Sequence, residues 1–482
     1  MSGESDNHPV GGGKPPTFDH TTFISPLTWR YGSPEMRQIW SETHKRLLMR
    51  RVWVALAAAQ HQAGLVSTAQ LEDLSRNQDR VDLARSLEIE RETRHDVVAE
   101  IRAYAEQCPQ GGAIIHWGAT SADVTDNVDV LRQRQALTLL LDRLARLLRT
   151  FAQRIEATAD LPVMAYTHIQ PAEPTTLGYR FAVYAQDLLH DYCDLQALNA
   201  ALCGKGFKGA TGTQASFQEI LQGSGVSAAQ MEADAMQRLS LPAFPIATQT
   251  YSRRQDLRVA QTLAALAASL HKFALDFRLL QSPAIGEWAE PFAGEQVGSS
   301  AMPFKRNPIN MENVNSLARY VAALPSIAWD NASQAVLERS LDDSANRRLF
   351  LPQGCLLVDE MLRRCAQVVE GMTLDENAMS ANMARYGPFA ATERVLMALV
   401  AAGAGRQQAH EWLRQASMQA WERLQQDTDA NPLPDLLASD SRIVALLTAD
   451  RLRELMDATT HVGTAPQRAR ALAQTIREML GE

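Results

Sequence analysis

The run LRVAQTLAALAASLHKFALDFRLL, residues 257–280, decides how this chain of 482 residues folds. Leu257, Val259, Leu263, Leu266, Leu270, Phe273, Phe277 and Leu280 stand among six alanines, so apolar groups cover nearly the whole helical circumference. A helix without a wet side needs cover from several directions, which places it at the centre of a bundle or in a subunit interface. Residues 175–202 have the same character. Residues 137–155 differ: Leu137, Leu140, Leu141, Leu144, Leu148, Phe151 and Ile155 form one stripe at i, i+3, i+4, i+7 spacing, with Arg and Gln opposite. Sustained β-branched alternation and Gly-rich strand-to-helix turns are both missing, so a Rossmann or P-loop reading has no support. The expectation is an all-α fold built on long helices.

Working outward, the length is about three times that of a typical domain and implies two or three cores. Breaks in pattern put boundaries near 120 and 373. A mostly helical region spans 23–119, the long-helix bundle spans 120–373, and shorter amphipathic helices such as 408–424 fill 374–482. Residues 1–22 are polar and rich in Gly and Pro, lack the layout of a signal peptide, and read as a disordered tail. Lys and Arg total 47 against 55 Asp and Glu, a net charge of -8, which argues against general nucleic-acid binding. No run of 18 apolar residues supports a membrane span. Cys108, Cys193, Cys203, Cys355 and Cys365 are odd in number and show no metal-like spacing; a reduced, cytoplasmic, disulfide-free protein without a metal site is expected.

Three polar segments interrupt the helical pattern. In His116-Trp117-Gly118-Ala119-Thr120-Ser121-Ala122-Asp123, Thr120 and Ser121 stand where a helix should begin and offer hydroxyls and free N–H groups to an anion. Taken alone, a plain N-cap explains them as well. Tyr166-Thr167-His168-Ile169-Gln170-Pro171 places a His in a polar, Pro-restricted loop ahead of a core helix, a candidate acid or base. Gly298-Ser299-Ser300-Ala301-Met302-Pro303-Phe304-Lys305-Arg306-Asn307-Pro308 is an electropositive loop. Its two prolines and apolar Met-Pro-Phe suit closure over an anionic ligand better than a linker.

Together the three resemble the fumarase/aspartase superfamily, whose signature loop Gly-Ser-Ser-x-Met-Pro-x-Lys-x-Asn is matched completely at Gly298 to Asn307. The resemblance is closest to the adenylosuccinate lyase branch. It rests further on Arg30-Tyr31-Gly32-Ser33-Pro34-Glu35-Met36, Thr93-Arg94-His95-Asp96-Val97, Gly209-Ala210-Thr211-Gly212-Thr213-Gln214, Gln249-Thr250-Tyr251-Ser252-Arg253 and Leu341-Asp342-Asp343-Ser344-Ala345-Asn346-Arg347-Arg348. It covers roughly residues 30 to 415.

The resemblance implies a three-domain helical fold, a homotetramer with sites drawn from three chains, no cofactor, and release of fumarate from a succinyl-amine. It implies Ser299 as general base, with Lys305 and loop amides steadying its alkoxide, and His168 as the acid that protonates the leaving nitrogen. His95 is the rival acid. Lys305, Asn307 and the backbone around Ser299 and Ser300 would clamp the reacting carboxylate, Thr120 and Ser121 would hold the second, Gln249 would hold the departing amine portion, and Asp96, Thr167 and Met302 would complete the substrate-binding set. Arg30, Tyr31, Arg339, Ser344 and Arg348 would take a nucleotide phosphate, for which guanidinium forks are suited. Locally convergent cations let an acidic protein bind a polyanion.

Two positions depart from the branch. Asn313 replaces an arginine expected near the substrate, and Tyr179 stands where relatives often carry Lys. The amine half is therefore open between adenylosuccinate, with the related succinyl-carboxamide ribonucleotide, and another N-substituted aspartate. A non-catalytic structural protein on this scaffold would be marked by loss of Ser299 or His168, and both are present. The phosphate set speaks against a ring-closing cycloisomerase.

Overall fold

The computed structural model describes residues 20–292, 302, 304–426 and 430–482. The elements that position the site are helices α1 (Glu42–Gln62), α2 (Asp96–Gln107) and α3 (Ser121–Ala157), strands β1 (Pro162–Thr167) and β2 (Gln170–Thr176), and helices α4 (Leu177–Ala201), α5 (Arg254–Leu280), α6 (Ile309–Ser333) and α7 (Asp342–Gly371). Among the described residues, β structure is confined to two small antiparallel pairs and one isolated bridge. The expected all-α architecture is the one observed.

Local chemistry sets the helix starts. The Ser41 hydroxyl accepts the His44 N–H at 3.2 Å ahead of α1. His95 Nδ1 accepts the Val98 N–H at 3.4 Å at the head of α2. The Asp123 carboxylate accepts the Thr120 N–H at 2.9 Å in the first turn of α3. Each contact satisfies a backbone donor that the helix leaves orphaned. At 37 residues, α3 runs about 55 Å. Its stripe of Leu137, Leu140, Leu144, Leu148, Phe151 and Ile155 is fully buried. In α5, Leu263, Leu266, Leu270, Phe273 and Phe277 are buried, while Leu275 and Leu279 remain 42% and 40% exposed. A single chain thus covers only part of that apolar circumference.

The chain forms two compact units. One holds the chain up to Leu140 with Gln196–Leu263 and Ala323–Glu360; the other holds Leu141–Leu195, Ala264–Ala322 and the chain from Met361 on. In the first unit Trp53 and Tyr104 stack at 6.4 Å, beside an ion pair between Arg50 Nε and Glu100 Oε1 at 2.7 Å whose side chains are 0% exposed. Arg50 also donates to the carbonyls of Asn77 and Arg80, at 3.2 and 2.8 Å. Removing one partner strands a buried charge, so Glu100→Ala is expected to cost about 3–5 kcal/mol. Urea midpoints measure this, and a loss under about 1 kcal/mol, the scale of exposed pairs, would show that the pair is solvated.

The second unit is centred on aromatic rings. Phe151 meets Phe273 edge-on at 5.3 Å, Phe181 stacks on Trp288 at 5.0 Å, and Phe277 lies 5.4 Å from Trp288. Nearer the C-terminus, helix Arg406–Gln425 buries Ala409, Leu413, Ala416, Ala420 and Leu424, the face expected for 408–424.

The polar stretch around His168 is a hairpin rather than an irregular loop. Thr167 pairs with Gln170, leaving His168 and Ile169 as a two-residue turn. Both residues have positive φ, 53° and 60°, the sign that a type I′ turn demands at its two central positions. Pro171 and Pro174 lie opposite Tyr166 and Met164 in β2. Proline cannot donate to a ladder and is tolerated in an edge strand of this kind, which is why the sequence conceals the hairpin.

Candidate active site

A cavity of about 580 Å³ opens in the first unit, lined by polar and charged side chains. The N-termini of α2, α3 and α7 all contribute to its wall: His95 and Asp96 from the first, Thr120 and Ser121 from the second, Ser344, Arg347 and Arg348 from the third. Gln249, Arg253 and Arg339 join them from the segments before α5 and α7. Helix starts carry unpaired N–H groups and partial positive charge, so this wall favours anions.

The lining is not cationic alone: Asp96 stands there with Glu42, Glu90, Asp126 and Asp129, beside Lys45, Arg94, Arg132 and the other arginines. Lys45 Nζ lies 3.2 Å from the Asp96 carboxylate and Arg348 Nη2 at 3.6 Å. Burial disfavours the Asp96 anion, but Lys45, Arg348 and Arg46 outweigh it and hold its pKa below the usual carboxylate value. The carboxylate therefore fixes cations at the rim. His95 spends Nδ1 on the Val98 N–H, which assigns the neutral ring proton to Nε2 and leaves it as a donor. The His95 side chain is 47% exposed.

In and behind the wall lies a set of buried ions. Asp123 pairs with Lys205 at 2.6 Å, both side chains fully buried, and accepts the backbone N–H groups of Lys208 and Gly209. This ties the start of α3 to the Gly-rich loop that follows α4. Asp126 accepts both Nη atoms of Arg253, at 3.0 and 3.2 Å. Arg347 reaches Asp256 at 2.7 Å, Asp129 at 3.2 Å and the Tyr251 hydroxyl at 2.8 Å. Sequence reading missed the roles of Lys45, Arg253 and Arg347. For Arg253 and Arg347, and for Lys205, the signal was Asp123, Asp126 and Asp129, three carboxylates three residues apart on a helix that had to be covered, which demands buried cations; Lys45 pairs instead with Asp96 and Glu42 and had no such signal.

The first unit thus brings together His95, Asp96, Thr120, Ser121, Gln249, Arg339, Ser344 and Arg348. Arg30 and Tyr31 are not among the residues lining this cavity; the Arg30 guanidinium lies over the Trp29 ring at 4.3 Å. In the second unit Thr167 and His168 stand exposed at the hairpin tip. Lys305, elsewhere in the same unit, is exposed, its N–H donating to the Met302 carbonyl at 3.0 Å. Met302 is exposed and Asn307 half-buried, and the Asn307 carbonyl accepts the Ile309 N–H at 2.9 Å. Ser299 and Ser300 lie outside the described residues. In α6, Asn310 is held by Glu290 and Arg364, at 2.9 and 2.8 Å, whereas Asn313 Oδ1 is buried with no hydrogen-bond partner among the described residues.

Long helices with an anion-favouring cavity at helix starts agree with the fumarase/aspartase resemblance, and the family model described as lyase matches residues 30–323. The fold is similar to the crystal structure of 3-carboxy-cis,cis-muconate lactonizing enzyme from Pseudomonas putida, with TM-score 0.83 and 28% identity over 94% of this chain and 100% of that one. It also resembles fumarate lyase from Mesorhizobium sp. BNC1 in fold, with TM-score 0.80 and 23% identity over 92% of this chain and 98% of that one. Within the class, a model for the adenylosuccinate lyase C-terminus matches residues 388–472. Adenylosuccinate lyase of Schistosoma mansoni is 36% identical, covering 94% of both chains, and that of Saccharomyces cerevisiae 35%, covering 95% of both. The Archaeoglobus fulgidus enzyme is 35% identical over 95% of this chain and 99% of its own. The chain belongs to the adenylosuccinate lyase family.

Proposed function

We propose that this protein is a carbon–nitrogen lyase that eliminates fumarate from adenylosuccinate and from the succinyl-carboxamide ribonucleotide of purine synthesis. The observation that carries the reading is the cavity itself, where residues from four separate sequence motifs line a wall of helix N-termini and guanidinium groups. A nucleotide with a phosphate and two carboxylates is the kind of polyanion such a wall is built to take.

The hard step is removal of a proton from carbon beside a carboxylate, because the resulting carbanion adds charge to a group already negative. Fixed positive charge and aimed donors lower that barrier. Ser299 takes the proton, Lys305 and the loop amides steady its alkoxide and the developing charge, and Asn307 and Ser300 hold the reacting carboxylate. Thr120 and Ser121 hold the second carboxylate with α3's first N–H groups. His168 protonates the departing nitrogen. His95 donates from Nε2 to orient the ligand, Gln249 holds the amine portion, and Arg339, Ser344 and Arg348, joined by Arg30 and Tyr31, take the phosphate. This scheme uses the chain's own side chains and backbone N–H groups and calls on no metal or organic cofactor.

The active form we propose is a homotetramer whose sites draw on three chains. Partly uncovered Leu275 and Leu279 on the largely apolar α5, and an exposed His168 on a hairpin tip, support that assembly. A cytoplasmic setting fits five cysteines that are all free thiols.

Fumarate release, followed by absorbance for adenylosuccinate beside other N-substituted aspartates, tests the reading; turnover of a different aspartate with no turnover of adenylosuccinate would overturn it. The Asn313 carbonyl, without a partner among the described residues, favours a second reading, in which a different amine supplies a donor to it. Asn313→Arg separates the two. A gain of roughly tenfold in kcat/KM on adenylosuccinate, within the range of one charge-assisted hydrogen bond, is expected, and a loss would favour the other amine.

A further inference from the structure

Arg339 reaches the cavity from the segment before α7, and its Nη1 donates to Asp343 Oδ1 at 2.8 Å. The other Asp343 oxygen accepts Arg253 Nε at 2.5 Å. Arg253 in turn forks onto Asp126, which also accepts the Tyr251 N–H at 3.0 Å. The line Arg339–Asp343–Arg253–Asp126 alternates in sign from the rim inward. Side-chain exposure falls along it from 24% at Arg339 to 8% at Asp343 and 3% at Arg253 and Asp126.

Buried ions of this kind are costly to desolvate and rarely justify themselves by stability alone. Asp343 has one carboxylate oxygen for each arginine, so it binds the inner strut and the rim cation at once. We propose that Asp343 is a positioning residue: it fixes the Arg339 guanidinium at the cavity wall with its remaining N–H groups directed to an anion, and Arg253 with Asp126 fixes Asp343. The proposal rests on the reading that this wall grips a nucleotide phosphate. A long arginine free in solution loses rotamer entropy on binding, and an arginine already tethered loses less. Burial raises the Asp343 pKa, but Arg253, Arg347 and Arg339 outweigh it and hold the carboxyl below its ordinary value. The tether is therefore charged throughout the neutral range.

The experiment compares adenylosuccinate with the corresponding nucleoside lacking the 5′-phosphate, in wild type and in Asp343→Asn, Arg339→Gln and the double variant. Asparagine keeps the volume but turns an N–H₂ toward one of two guanidinium donors. Asp343→Asn is expected to raise KM for the phosphorylated substrate about tenfold, the scale of one charge-assisted hydrogen bond, with kcat within about twofold. In the Arg339→Gln background the same change should have no further effect on KM, because a residue acting through Arg339 has nothing left to position. Arg253→Lys, which loosens the strut while keeping its charge, gives the same pattern at smaller amplitude and serves if Asp343→Asn does not fold. An unchanged KM in both Asp343→Asn and Arg253→Lys, or an effect that persists in the Arg339→Gln background, overturns the proposal. If wild type itself uses the nucleoside as well as the nucleotide, it is the phosphate reading that fails.

Discussion

Ser299→Ala is expected to lower kcat by about 10²–10⁴-fold, the contribution of a positioned acid–base group, while KM for adenylosuccinate changes little. A serine hydroxyl is a poor base in water, so its use requires that the alkoxide be stabilised within the closed site. Lys305 and Arg306, six and seven residues further on, bring that charge on the same short segment. The variant should also lose exchange of the substrate's methylene hydrogen with solvent, because abstraction of that proton is the step removed. Ser300→Ala, which keeps the proposed base and removes one proposed carboxylate contact, should act mainly on KM. Lys305→Ala should mimic Ser299→Ala in kcat, with Lys305→Arg recovering part of the activity, since the requirement is charge near the alkoxide. A Ser299→Ala enzyme within tenfold of wild-type kcat would remove this residue from the base role and move the search to another group on the loop.

How much of this could be read beforehand follows from the range of the interactions. The long helices were legible because periodicity is local: the stripe from Leu137 to Ile155 and the apolar circumference of α5 each lie within one element. The start of α3 at Ser121 was legible for the same reason, as capping chemistry spans three residues. Arg339, Ser344 and Arg348 fall within ten residues and reach one cavity together. The hairpin around His168 was hidden because two prolines in β2 and two non-glycine residues at positive φ contradict the usual strand and turn signals. The ion ladder was hidden because Asp126, Arg253 and Asp343 are each about a hundred residues apart, and nothing in sequence spacing couples them. Arg30 and Tyr31 show the converse: a motif match names a residue without giving its side chain's place.

The turn that carries His168 shapes the second large prediction. At φ 53° the residue occupies the left-handed region, which Asn tolerates better than Ala. His168→Asn is therefore a cleaner probe than His168→Ala, keeping a hydrogen-bonding side chain in a turn it can adopt while removing the exchangeable imidazole proton. Neighbouring Ile169, β-branched at φ 60° and 69% exposed, already carries strain of order 1–3 kcal/mol, so a second misfit at 168 would confuse folding with chemistry. His168→Asn is expected to lower kcat about 10²–10⁴-fold with KM nearly unchanged. The loss should be largest for substrates whose amine leaves poorly, because a basic leaving nitrogen depends most on being protonated as the C–N bond breaks. Added imidazole should restore part of the activity by entering the space vacated at the hairpin tip. Equal rates across leaving amines in the variant and wild type would exclude His168 as the acid. The role would then pass to His95, whose Nε2 is the donor left free by its bond to Val98, and His95→Asn would be the variant to show the leaving-group dependence instead.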